Sequence, residues 1–267
     1  MAVKPYHSNI EPTLAPSFFF YPDINSVATF AANILTKHSE KKYQKEIPDE
    51  IESRAKSQKK IYEGNTKRER KISKNVDRVT GALKTKKAPE KINSESLTEK
   101  RLAEIAKDVN GSLIHCSGNC VLLSRAMLYN LAQGKNILSV RNTTPFYEGF
   151  DDSLKTSAID RVIFGKPLTI VDEKLDSIDK VVTAVLDEFS KSKERYYLVE
   201  SEGFDISIAG STLFSCGHDF NAVVMMDDQD KPYVQFVDAW KTSDFTPSEE
   251  RMDKRYSDGI FTVKKLS

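Results

Sequence analysis

The segment Val121-Leu122-Leu123-Ser124-Arg125-Ala126-Met127-Leu128-Tyr129-Asn130-Leu131 limits the fold more than any other stretch. It is nearly apolar on all sides, so the helix it predicts has no solvated face and must be wrapped by the rest of the domain. It falls short of the ~18–20 apolar residues that a membrane span needs. Gly134 marks its end. A central, buried helix is therefore the first expectation, in a chain of 267 residues that has room for one large domain with an appendage.

Beyond the helix the chain reads mostly as strands. Ile137 to Val140, Tyr196 to Val199, Phe220 to Met226 and Tyr233 to Val237 are short β-rich runs. The last two are separated by Asp227-Asp228-Gln229-Asp230-Lys231-Pro232, a strong turn signal. Asp176 to Ser190 reads as an amphipathic helix through Ile178, Val181, Val182, Val185, Leu186 and Phe189. One buried helix followed by a mostly antiparallel sheet gives an α+β domain, set at residues 108–267. The stretch from Thr143 to Lys174, with Pro145, Phe146, Tyr147 and Phe150, reads as a covering loop that could line a groove.

The first 107 residues differ in kind. From Lys37 to Lys107 there are 21 Lys+Arg against 12 Asp+Glu, leaving 19 against 27 elsewhere. Helices are expected at Asn25–Leu35, Glu50–Ile61 and Thr66–Leu83, the last with a stripe of Ile72, Val76, Val79 and Leu83. Another begins at Ser96-Leu97-Thr98-Glu99, buries Leu102, Ile105, Ala106 and Val109, and ends at Asn110-Gly111. The expectation is a charged, largely helical or partly disordered N-terminal region. Its charge lacks interleaved aromatic residues, which argues against nucleic acid as a partner. The net charge of the whole chain is only +1. No cleaved secretory signal is read at the N-terminus, where Ser17-Phe18-Phe19-Phe20-Tyr21 is apolar but short. Three cysteines fit a reducing compartment rather than a disulfide scaffold.

The chemistry is carried by three placements. Cys120 stands where the buried helix begins, directly after Ser117-Gly118-Asn119. A helix N-terminus carries about half a positive charge, which favours a thiolate and can hold an oxyanion. His218 opens an apolar strand in Cys216-Gly217-His218-Asp219-Phe220, with Gly217 allowing close backbone approach beside it. Asp238 ends the next strand. A turn centred on Asp228 and Gln229 sets His218 opposite Ala239, beside Asp238, where a carboxylate can orient the imidazole. The expected triad is Cys120, His218 and Asp238, with Asn119 as a helper at the oxyanion. His7 and His38 read as surface residues and His115 as a loop residue.

The order Cys, His, Asp resembles the papain-like cysteine peptidases. Cys116-Ser117-Gly118-Asn119-Cys120 before a buried helix, Gly217-His218 leading into a strand, and Asp238-Ala239-Trp240 in place of an Asn-x-Trp segment carry the resemblance. It covers roughly half the chain. Three departures accompany it: Ile114 where that family has a glutamine donor, Val121 where it has tryptophan, and a cysteine pair four residues apart instead of three. These departures and the charged N-terminal region resemble the divergent papain-like effectors that bacteria inject into host cells. The resemblance implies a papain-like fold and a thioester mechanism without a cofactor. Trp240 would shield the His–Asp bond. It further implies a host protein as substrate, cleaved or deamidated, with deubiquitinase or transglutaminase-like activity also open. Delivery would be by a specialised secretion system into the host cytoplasm, with a secretion chaperone or regulator on the N-terminal region. Two other readings compete. Cys116, Cys120, Cys216 and His218 could ligate a structural zinc, or the chain could be a non-catalytic interaction protein. An acidic export signal at Asp244 and Glu249-Glu250 competes with plain solvated surface.

Overall fold

The computed structural model describes residues 43–44, 47–61, 66–110, 120–140, 156–208, 211–240 and 244–266. Side chains are described at all of these except 43–44, 67–69, 71–72, 74–75, 78, 203–208 and 211–216. In chain order the elements are β1 (Tyr43–Gln44), α1 (Asp49–Ile61), α2 (Lys67–Ala82), β2 (Leu83–Lys91), α3 (Glu99–Val109), α4 (Cys120–Ala132), β3 (Lys135–Val140) and α5 (Thr156–Phe164). Next come β4 (Thr169–Leu175), α6 (Ile178–Ser192), β5 (Tyr196–Ile208), β6 (Ser211–Met226), β7 (Pro232–Val237), α7 (Glu249–Arg255) and β8 (Phe261–Lys265). The fold is α+β, with a three-stranded sheet β1-β2-β3 and a five-stranded sheet β4-β8-β5-β6-β7, both antiparallel.

Helix α4 is buried from Leu122 to Leu131, as its all-round apolar sequence requires. It stops at Gly134, whose φ of 60° is the left-handed conformation glycine adopts freely. It packs against β3 on one side and β5 and β6 on the other. One hydrophobic cluster joins α4 to Ile51 and Ala55 of α1, Val76 and Val79 of α2, and Ile105 and Val109 of α3. The same cluster takes in Ile159 and Val162 of α5 and reaches Val223, Met225 and Val237 on the large sheet. The opposite face of that sheet, with Phe220, Ala222, Val224 and Phe236, packs against Val181 and Val185 of α6 and Met252 of α7. Residues two apart along β6 thus share a face, and both faces are covered. This is why the strand reads as a continuous apolar run.

The helices expected at Glu50–Ile61 and Thr66–Leu83 are α1 and α2. The four-residue stripe Leu102, Ile105, Ala106 and Val109 is fully buried in α3, which Thr98 caps by accepting from the Arg101 N–H. Strand β2, whose lysine-rich sequence carries little β signal, forms because β3 offers it a partner. Within the stretch expected to be a covering loop, Thr156 onward is helix α5 and then β4; residues 141–155, including Pro145, Phe146, Tyr147 and Phe150, lie outside the described residues. The helix expected at Asn25–Leu35 also lies outside them, as do His7, His38 and His115.

The β6–β7 register is one residue away from the expected one. Asn221 pairs with Val237 and Met226 with Pro232, which directs His218 toward Trp240 rather than Ala239. The cause is the turn. The Asp227 carboxylate accepts from the N–H groups of Gln229 and Lys231, both at 2.9 Å, and Asp230 takes a φ of 57°. The loop is therefore the three residues Asp228, Gln229 and Asp230, not a two-residue turn. A one-residue slip inside a ladder reverses which face each side chain occupies. Asp238 escapes that rule because it lies beyond the ladder, where its N–H donates to the Phe245 carbonyl at 2.9 Å.

Candidate active site

Cys120 is the first residue of α4, half-buried, with a free thiol. His218 lies on β6 and is 7% exposed. Its backbone is held from the neighbouring strand: its N–H donates to Ser201 Oγ at 3.0 Å, and Ser201 Oγ donates back to its carbonyl at 2.9 Å. The approach at Gly217 is close, since a Cβ there would stand 2.9 Å from the Ser201 carbonyl oxygen. This is the role expected of that glycine.

The imidazole Nε2 lies 3.0 Å from Asp238 Oδ2, and the Cys120 side chain is near enough to the ring to help raise the His218 pKa. Asp238 is fully buried. Its Oδ1 accepts from the Trp240 N–H at 3.1 Å, and Arg255 Nη1 reaches its Oδ2 at 3.3 Å. Aromatic rings enclose the imidazole, with centroids at 5.4 Å for Trp240, 6.0 Å for Tyr256 and 6.2 Å for Phe220. Asn110, at the end of α3, donates through Nδ2 to the Ala239 carbonyl at 2.8 Å and so ties down the chain between Asp238 and Trp240.

These contacts favour charge on both partners. Burial alone would push the His218 pKa down. The Asp238 carboxylate, Tyr256 and the hydrogen bonds to Asp238 and Cys120 outweigh it, and the imidazolium is held well above its ordinary range. Burial alone would raise Asp238. The His218 charge and hydrogen bond, the Trp240 N–H and Arg255 outweigh that and hold the carboxyl below its ordinary range. Burial, first of all, pushes the Tyr256 phenol up to about 12.

Cys120, His218, Asp238 and Trp240 are thus brought together. Asn119, expected at the oxyanion, lies outside the described residues, as does Cys116, and the Cys216 side chain is not described. Of the four ligands in the zinc reading, only the side chains of His218 and Cys120 are described, and they lie near each other. Asp244 pairs with Arg251 at 2.7 Å, and Glu249 and Glu250 occupy the first turn of α7, where negative charge suits the helix dipole.

A sequence model described as "Salmonella plasmid virulence protein SpvD" matches residues 50–266, from α1 through β8. The chain belongs to the SpvD family. Two curated relatives, virulence protein SpvD of Salmonella dublin and virulence protein vsdE of Salmonella typhimurium strain LT2, are each 36% identical over 193 residues. Each match takes in 72% of this chain and 85% of the relative. Two solved variants of the Salmonella effector SpvD share the fold. One has a TM-score of 0.66 at 33% identity, over 82% of this chain and 98% of that one. The other has a TM-score of 0.60 at 30% identity, over 82% and 99%. The SpvD relatives are virulence proteins and effectors, which agrees with the expected bacterial effector.

Four residues at or beside the site escaped the sequence reading: Arg125, Ser201, Arg255 and Tyr256. Arg125 alone left a signal, since it is the single charge in an otherwise uncharged buried helix and must therefore have partners. Ser201, Arg255 and Tyr256 reach His218 and Asp238 only through strand pairing and helix docking, which no local pattern announces.

Proposed function

We propose that this SpvD-family protein is a cysteine hydrolase of papain-like fold, acting on a peptide or carboxamide bond of a host protein. The observation that carries this reading is the grouping of Cys120, His218 and Asp238: a free thiol at a helix start, an imidazole close enough to feel it, and a buried carboxylate 3.0 Å from the imidazole Nε2.

Those positions define the chemistry. His218 accepts the Cys120 proton, and the sulfur attacks the substrate carbonyl carbon to give a tetrahedral oxyanion. The N-terminus of α4 offers that oxyanion a positive field. Collapse of the adduct expels an amine, or ammonia from a glutamine side chain, protonated by His218, and leaves a thioester on Cys120. Water then gives up a proton to His218, attacks the thioester and releases a carboxylic acid together with the thiol. Asp238 orients the imidazole and stabilises the imidazolium formed in each half. The rings of Trp240 and Tyr256 limit water around the His218–Asp238 bond, which strengthens it.

Incubation of candidate host proteins with the wild-type chain and with Cys120→Ser, His218→Ala and Asp238→Ala tests the reading by intact mass spectrometry. Fragments mark proteolysis, and a gain of about one dalton marks deamidation, since both pass through the same thioester. Each substitution is expected to leave the fold intact and to lower turnover by about a hundredfold or more. Unchanged turnover in Cys120→Ser would sink the proposal.

A further inference from the structure

One buried side chain joins the helix that carries Cys120 to the strand that carries His218. Arg125 lies in α4 and has no exposed surface. Its Nε donates to Asp160 Oδ1 of α5 at 2.6 Å, and its Nη2 donates to Glu200 Oε1 of β5 at 2.5 Å. Its Nη1 donates twice, to Asp219 Oδ2 at 2.6 Å and to the Val121 carbonyl at 3.1 Å. Val121 comes directly after Cys120, and Asp219 directly after His218. A single nitrogen therefore bridges the residue next to the sulfur and the residue next to the imidazole.

Packing alone does not require such a group. Elsewhere α4 is held by Leu122, Leu123, Met127 and Leu128, and apolar residues in place of a buried ion cluster are often as stable or more so. What the guanidinium adds is direction: a rigid planar fork holds several acceptors at fixed angles, which a flexible ammonium or an apolar side chain does not. Its acceptors here belong to α4, α5, β5 and β6, and Glu200 is anchored a second time by Lys264 of β8. Asn221 adds a parallel tie, donating from β6 to the Ser124 carbonyl at 3.0 Å.

We propose that Arg125 is a positioning residue for the Cys120–His218 pair, its Nη1 bridge from the Val121 carbonyl to the Asp219 carboxylate setting the approach of sulfur to imidazole. This rests on the reading of Cys120 as a thiol activated by His218. A misplacement of about 1 Å at such a pair lowers rate by on the order of a hundredfold.

The test is iodoacetamide alkylation of the full chain, read at Cys120 by peptide mass spectrometry at pH 6 and pH 9.5, beside thermal unfolding. Arg125→Lys keeps the charge and loses the fork; Asp219→Glu keeps the charge and lengthens one arm. Val185→Ala, in the core on the far side of the sheet, lowers stability without touching the bridge. Arg125→Lys and Asp219→Glu are expected to react about tenfold or more slowly at pH 6 and within about twofold of wild type at pH 9.5, whereas Val185→Ala matches wild type at both. A folded Arg125→Lys or Asp219→Glu with the wild-type rate at pH 6 overturns the proposal. His218→Ala separates the two readings. If it too keeps the wild-type rate at pH 6, the thiol is not activated by His218, and the hydrolase reading falls along with the role of Arg125.

Discussion

Ser201 and Gly217 place the His218 backbone, Asp238 places its ring, and each can be probed alone. Adding a Cβ at Gly217 sets it 2.9 Å from a backbone oxygen that belongs to a paired strand and gives way poorly. Gly217→Ala is expected to destabilise by roughly 1–3 kcal/mol and to slow turnover together with it, checked by denaturant unfolding and a rate on any verified substrate. The His218–Asp238 pair predicts a pH signature. His218 is raised in the folded state, so its contribution to stability is complete below about pH 6.5 and is lost as pH rises through the folded value. Asp238 is lowered, so its contribution is present above about pH 3.9 and is lost as pH falls through the folded value. The difference in unfolding temperature between wild type and Asp238→Asn is therefore expected to be widest from about pH 4 to 6.5 and to narrow above it. A gap that widens steadily toward pH 9 would contradict the pairing.

Helices α3 and α6 show how differently two elements bear on the site. Both begin with a hydroxyl cap, Thr98 and Ser177, and both bury one stripe. Helix α3 also reaches the site, because Asn110 at its end holds the Ala239 carbonyl beside Asp238. Asn110→Leu leaves that carbonyl without this donor and is expected to cost about 1–3 kcal/mol while also lowering turnover. Ser177→Ala removes a cap of comparable kind from α6 at a cost of about 1 kcal/mol and is expected to leave turnover unchanged. Paired unfolding and rate measurements on the two variants separate an element that merely stabilises from one that also places the Asp238–Trp240 segment. Equal effects on turnover would show that the Asn110 contact has no such function.

At the scale of the molecule, α1, α2 and α3 share a hydrophobic cluster with α4 and α5, and their apolar stripes cover the helix that begins at Cys120. Ile51, Val76, Val79, Leu102 and Ile105 are at most 1% exposed. A fragment of residues 108–267 uncovers that surface, and it is expected to lack a cooperative thermal transition and to aggregate, measured by circular dichroism and light scattering beside the full chain. Much was nonetheless legible in the sequence. Local pattern predicted the buried helix, the α3 stripe, a turn after β6, the position of Cys120 at the helix start and the nearness of His218 to Asp238, because helical and strand periodicities and turn residues act over a few neighbours. Local pattern could not supply the three-residue loop that shifts the β6–β7 register, since that depends on Asp227 folding back onto the Lys231 N–H. Nor could it give β2 and β8, which become strands because a partner lies beside them. The carboxylates that Arg125 collects stand 35, 75 and 94 residues away along the chain. Periodicity determines which residues are buried, but only the closed fold decides which buried charges meet, because ion pairing depends on separation in space and not in sequence.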